Sequence, residues 1–173
     1  ESEILTGFKL YCDIRIKATK YLGLDVWYTA VYNKYEFQIA LKNIIEETKL
    51  GIKPLIHLEM HGSSDHNGLV LRSQECLLWG ELLKYLRNIN AKTNNNLFLV
   101  LACCHGADLL RGIDFSMKSP FYAYLGSFEE VYPDQLLKFT EFYDEVLETG
   151  NLSIAINILN QVFTENELVY FKA

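Results

Sequence analysis

The chain has 173 residues, 50% hydrophobic and 22% charged, which is enough for a continuous core within one globular domain spanning 1–173. Its 22 acidic against 16 basic residues give a formal charge of −6, and no basic stripe is interleaved with aromatics, so no direct nucleic-acid partner is expected. The longest uncharged apolar runs are about ten residues, short of the roughly 20 that span a bilayer, and no charged n-region precedes an apolar stretch, so the expectation is a cytoplasmic protein with no membrane partner.

Taken in chain order, residues 6–21 read as a helix and LDVWYTAVY (24–32) as a strand. KYEFQIALKNIIEETK (34–49) puts Phe37, Ala40, Leu41, Ile44 and Ile45 on one helical face, and Gly51 closes that helix. Pro54 opens PLIHLEMHG, a strand ending in a glycine turn, and NGLVL (67–71) reads as a short extended excursion. SQECLLWGELLKYLRNIN (73–90) reads as the next helix, interrupted at Gly80. A polar break, AKTNNN, precedes the strand LFLVLAC, a glycine-led segment and the strand PFYAYLG. Two helices follow: PDQLLKFTEFYDEVLE, with Pro133 favourable near its start, and NLSIAINILNQVF after Gly150. Apolar strands alternating with helices predict an α/β fold, a three-layer αβα sandwich with a mostly parallel central sheet. The chain begins with Glu1 and not Met, which reads as a processed product or a piece of something longer.

Two of these strands end alike. One delivers His61 and Gly62 at its carboxyl end, and the other delivers Cys103, Cys104, His105 and Gly106. In an open α/β sheet, catalytic groups collect beyond the carboxyl ends of the strands, so the two motifs are expected to meet. An imidazole beside a thiol can take its proton, and the thiolate is a nucleophile for acyl carbon. Without a Cβ, Gly62 admits substrate closely and can offer its N–H to a developing oxyanion.

The remaining candidates have plainer readings. His57 reads as a hydrogen-bonded core histidine, His105 as a turn residue at the rim, and His66 as an exposed residue of the polar loop SSDHNG. Cys12 and Cys76 read as buried fillers. Adjacent cysteines bridge poorly, so reduced thiols are expected. Two competing functions stay open. One is a zinc site drawn from His57, His61, Cys103, Cys104 and His105, although neither CxxC nor HExxH spacing occurs. The other is a catalytically silent scaffold that binds a partner.

His-Gly after a buried strand, followed by a second buried strand ending in Ala-Cys and a Cys-x-Gly turn, resembles the caspase-like cysteine peptidases: caspases, metacaspases and the bacterial CHAT-type branch. The order of elements from about residue 24 to residue 160, with Trp79-Gly80-Glu81-Leu82 in the middle helix, is similar to the CHAT-type members. The resemblance implies a caspase-like fold and a cysteine endopeptidase with His61 as base and a cysteine nucleophile, needing no metal and no cofactor. Glycine two positions after the nucleophile selects Cys104, which is favoured; glycine three positions after it, with Ala102 directly before, selects Cys103. Where caspases carry glutamine and metacaspases aspartate, this chain has Ala102, so Asp65, Asp108 and Asp114 are the candidate receptors for a basic substrate side chain. The resemblance also implies an effector role in a signalled bacterial system such as antiviral defence. Its substrate would be a protein, gasdermin-like or another effector, and a regulatory domain or subunit would supply the signal, with a first strand or sensor region lying outside this chain.

Overall fold

Runs of apolar residues without charge become the inner strands of a sheet, because they can be buried on both faces. In the computed structural model, which describes residues 2–163 and 168–172, with residues 2–5 described by backbone alone, four strands form this sheet. They are β1 (Leu55–Glu59), β5 (Phe98–Ala102), β6 (Ala123–Ser127) and β7 (Leu168–Lys172), in that spatial order. β1 runs parallel to β5 from Leu55↔Phe98 to Glu59↔Ala102, and β5 parallel to β6 from Phe98↔Ala123 to Leu101↔Gly126. Every residue of β5 and β6 is buried. A second sheet of three short antiparallel strands contains β2 (His61–Gly62), β3 (Gly68–Val70) and β4 (Cys76–Leu78).

The chain divides into two compact units, residues 30–130 with 169–173, and residues 1–29 with 131–168. In the larger unit, α2 (Lys34–Thr48) starts where the Asn33 side chain accepts the Glu36 N–H at 2.9 Å and stops before Gly51, whose φ of +88° suits a residue without Cβ. Phe37, Leu41 and Ile45 recur at helical spacing and pack in one cluster with Leu82, Leu86 and Ile89 of α3 (Trp79–Lys92) and with Ile56, Leu99 and Leu101 of the sheet. Each such side chain contributes about 1.5–3 kcal/mol on full burial, so this cluster is the main force holding both helices on the strands.

The smaller unit is helical: α1 (Ser2–Ala18), α4 (Pro133–Leu137), α5 (Phe139–Thr149) and α6 (Leu152–Leu159). Lys17 and Asp144 form an ion pair joining α1 to α5. Phe142 meets Tyr143 edge to face, with ring centroids 4.9 Å apart. Gly150 ends α5 at φ +65°, and the Asn151 side chain caps α6 by accepting from Ser153 and Ile154.

The α/β class and the mostly parallel sheet agree with the alternation of elements, while five local expectations change. Residues 24–32 form no strand; Tyr28 instead packs against Phe8 and Tyr11 at 5.5 and 5.6 Å, so the aromatic content serves side-chain packing and not a ladder. The helix expected from residue 73 begins at Trp79, since Cys76–Leu78 pair with β3. PDQLLKFTEFYDEVLE is two helices divided at Lys138. PLIHLEMHG is broken at Met60, and β7 was not anticipated. Among the described residues no helix is long and apolar enough to cross a membrane.

Candidate functional site

After Met60 the chain leaves the parallel sheet. His61 and Gly62 therefore sit in the antiparallel ribbon and not at the end of β1, as the sequence suggested. The ribbon is anchored by Leu69 and Leu77, both fully buried in the core cluster. Its register orients Gly62. The Ser63 N–H donates to the Gly68 carbonyl at 2.9 Å, which makes that pair hydrogen-bonded. Antiparallel pairs alternate, so Gly62 opposite Leu69 is a non-hydrogen-bonded pair, and the Gly62 N–H points away from β3.

The other motif follows β5. Cys103 and Cys104 lead into His105, whose φ of +55° turns the chain sharply into a 3-10 helix, Gly106–Gly112. This turn is held from outside: the His105 N–H donates to the Glu129 carbonyl at 3.1 Å, and the His105 ring Nδ1 lies 2.7 Å from the Phe128 carbonyl oxygen. Gly106 is tightly enclosed, since a Cβ there would lie 3.0 Å from Leu101 Cβ and 3.1 Å from Cys103 Sγ.

The two motifs meet at Gly62 and Cys104. A Cβ on Gly62 would run into the Cys104 carbonyl oxygen and lie 3.0 Å from its carbonyl carbon. Only a glycine permits that approach. His61, the neighbouring residue, is exposed, and Cys104 is half-buried.

The adjacent cysteines differ sharply. Cys103 is 1% exposed, and burial, with the neighbouring Cys104 as a smaller cause, pushes its thiol far above the ordinary range. A thiol in that setting stays protonated and unreactive. All four cysteines are free, with Cys12 and Cys76 half-buried instead of fully buried. His57 lies beside Glu59 on the same face of β1, Nε2 to Oε2 3.9 Å, with both side chains largely buried.

The aspartates divide as well. Asp65 and Asp114 are exposed turn residues. Hydrogen bonds from the Ser63 side chain, and then from Asn67, hold the Asp65 carboxyl below its usual range; Ser116 does the same for Asp114. Asp108 is 3% exposed, with Oδ2 at 3.0 Å from His66 Nδ1 and Oδ1 in an ion pair with Arg111 Nε at 3.0 Å that lacks hydrogen-bond geometry.

Sequence reasoning missed one grouping. The His66 and His105 rings stack at 3.8 Å with planes 15° apart, above the buried Asp108. Among the described residues, these three form the one group of His, Cys, Asp or Glu side chains with ligand atoms all within 4.8 Å of one another. The zinc set drawn from His57, His61, Cys103, Cys104 and His105 does not gather in that way. Asp108 lies 42 residues from His66, so no local spacing announced the cluster. The chain matches no protein-family model, and no curated protein matches it.

Proposed function

We propose that the chain is a cysteine peptidase of caspase-like, three-layer αβα architecture, with Cys104 as nucleophile and His61 as its base. The observation that carries this reading is the contact of Gly62 with the main chain of Cys104, because it brings together the two chain segments that bear His61 and Cys104. Cys104 attacks the amide carbon, and its proton passes to His61. The Gly62 N–H, turned away from the ribbon ladder, and the cysteine N–H hold the oxyanion. His61 then protonates the leaving amine, and water resolves the thioester. Burial of Cys103 favours its neighbour as the reactive thiol. Following the resemblance, the substrate is a protein, the setting a signalled bacterial defence system, and the trigger a separate sensing domain or subunit.

Digestion of a peptide library by wild type, Cys104→Ala and Cys103→Ala tests the assignment. Wild type and Cys103→Ala should cleave, and Cys104→Ala should lose activity on the order of 10³-fold or more. An activity-directed thiol probe should label the first two alone. Cleavage that survives Cys104→Ala, or a wild type that neither cleaves nor takes up the probe, overturns the proposal.

A further inference from the structure

We infer that His66, His105 and Asp108 bind one divalent transition-metal ion of the zinc type. Two imidazoles and one carboxylate are a donor set that zinc accepts, with a fourth position left for solvent or an outside ligand. The tautomers are set by the surroundings. A carbonyl oxygen only accepts, so the contact at 2.7 Å from Phe128 O places the proton of His105 on Nδ1 and leaves its Nε2 lone pair available. A backbone carbonyl behind a ligating histidine is the outer support that metal sites use repeatedly. Asp108 is buried, with Arg111 Nε 3.0 Å from its Oδ1 as an ion pair without hydrogen-bond geometry and Oδ2 directed at His66.

His66 Nδ1 and Asp108 Oδ2 are 3.0 Å apart. Two ligands bound at about 2.0–2.1 Å in tetrahedral geometry stand roughly 3.3 Å apart, so the present separation is close to that of two ligands on one ion. A neutral His66 ring binds through Nδ1 once its single N–H proton is carried on Nε2, the other tautomer. The stacked rings must open, because imidazole lone pairs lie in the ring plane. His66 can supply this motion: its side chain is 45% exposed, whereas Asp108 beneath it is fixed. Its backbone stays anchored, with Trp79 Nε1 donating to the His66 carbonyl at 2.7 Å. The inference goes beyond the peptidase reading and does not require it. His105 follows Cys104 directly, so an ion here stiffens the turn that carries the thiol.

The test uses the whole chain, reduced and stripped of metal by chelator, titrated with Zn(II) and with Co(II) by calorimetry and visible absorption. One equivalent should bind, and excess Zn(II) should raise the thermal midpoint. His66→Asn and His105→Asn should each weaken binding by about 10–100-fold or more. Asparagine is chosen because it tolerates the left-handed backbone at these positions, φ +60° and +55°. His66→Asn, in an exposed loop, serves as the folded reference, checked by the midpoint of the metal-free protein. Cys104→Ser should bind as wild type does. Absence of saturable binding, affinity unchanged in both asparagine variants, or binding lost in Cys104→Ser overturns the inference.

Discussion

One hydrogen atom at Gly62 separates the arrangement described here from a different one. Gly62→Ala drives a methyl group into the Cys104 carbonyl, and because both partners are backbone, the strain must be relieved by moving the ribbon or the turn. A displacement near 1 Å between reacting groups costs on the order of 10²-fold in rate. On the proposed peptidase reading, the variant should remain folded by circular dichroism while losing cleavage at least that far. Activity within a few-fold of wild type would mean that the contact has no part in catalysis. The approach of Gly62 to Cys104 was legible beforehand from the apolar runs that precede both motifs, although His61 and Gly62 lie in the antiparallel ribbon and not at the end of β1. The His66, His105 and Asp108 cluster was not legible. His66 reads as loop polarity and Asp108 as a candidate receptor for a basic substrate side chain, and nothing in their spacing brings the His66 and His105 rings into their stack.

At the scale of elements, one hydroxyl closes the turn of the ribbon that carries His61. Buried Ser63 accepts the N–H groups of Asn67 and Gly68, both at 3.0 Å, and so closes the turn between β2 and β3. Asn67 keeps a second acceptor in Asp65 Oδ1 at 3.2 Å, whereas the buried Gly68 N–H loses this one. Ser63→Ala should destabilise the chain by about 1–3 kcal/mol, the usual cost of an orphaned buried donor. It should also speed hydrogen exchange at the Gly68 amide; a urea midpoint equal to wild type would contradict the assignment. The elements themselves were read from the sequence unevenly. The helix at 34–48 and the strands at 98–102 and 123–127 carry periodicity or unbroken apolar runs that leave few alternatives. Residues 24–32 and 76–78 do not, because β-propensity records a half-buried surface without naming its partner. One such stretch packs by its aromatic rings, and the other pairs with β3 and not with the helix that follows it.

For the whole molecule, ionisation sets the range of pH in which the fold is most stable. On the acid side, four carboxyls are held below their ordinary values: Asp65 by Ser63, Glu75 by Ser73, Glu81 by Lys34 and Asp114 by Ser116. A carboxyl with a lowered folded-state pKa stabilises the fold above its unfolded value. That contribution is lost as pH falls through the folded value, because the unfolded chain binds protons first. On the alkaline side, burial raises Cys103, Tyr124 and Tyr143. The unfolded chain then releases their protons above about pH 9, where free thiols and phenols begin to ionise, while the folded chain keeps them, so stability declines as pH rises. Urea midpoints should thus be level between about pH 5 and pH 8 and fall on both sides. Tyr124 sharpens the expectation, because its fully buried hydroxyl has no hydrogen-bond partner among the described residues. Tyr124→Phe removes both the desolvation cost and one of the three alkaline titrations. It should leave the neutral midpoint unchanged or raised and should make the decline above pH 9 shallower, whereas a steeper decline would show that the phenol ionises inside the fold.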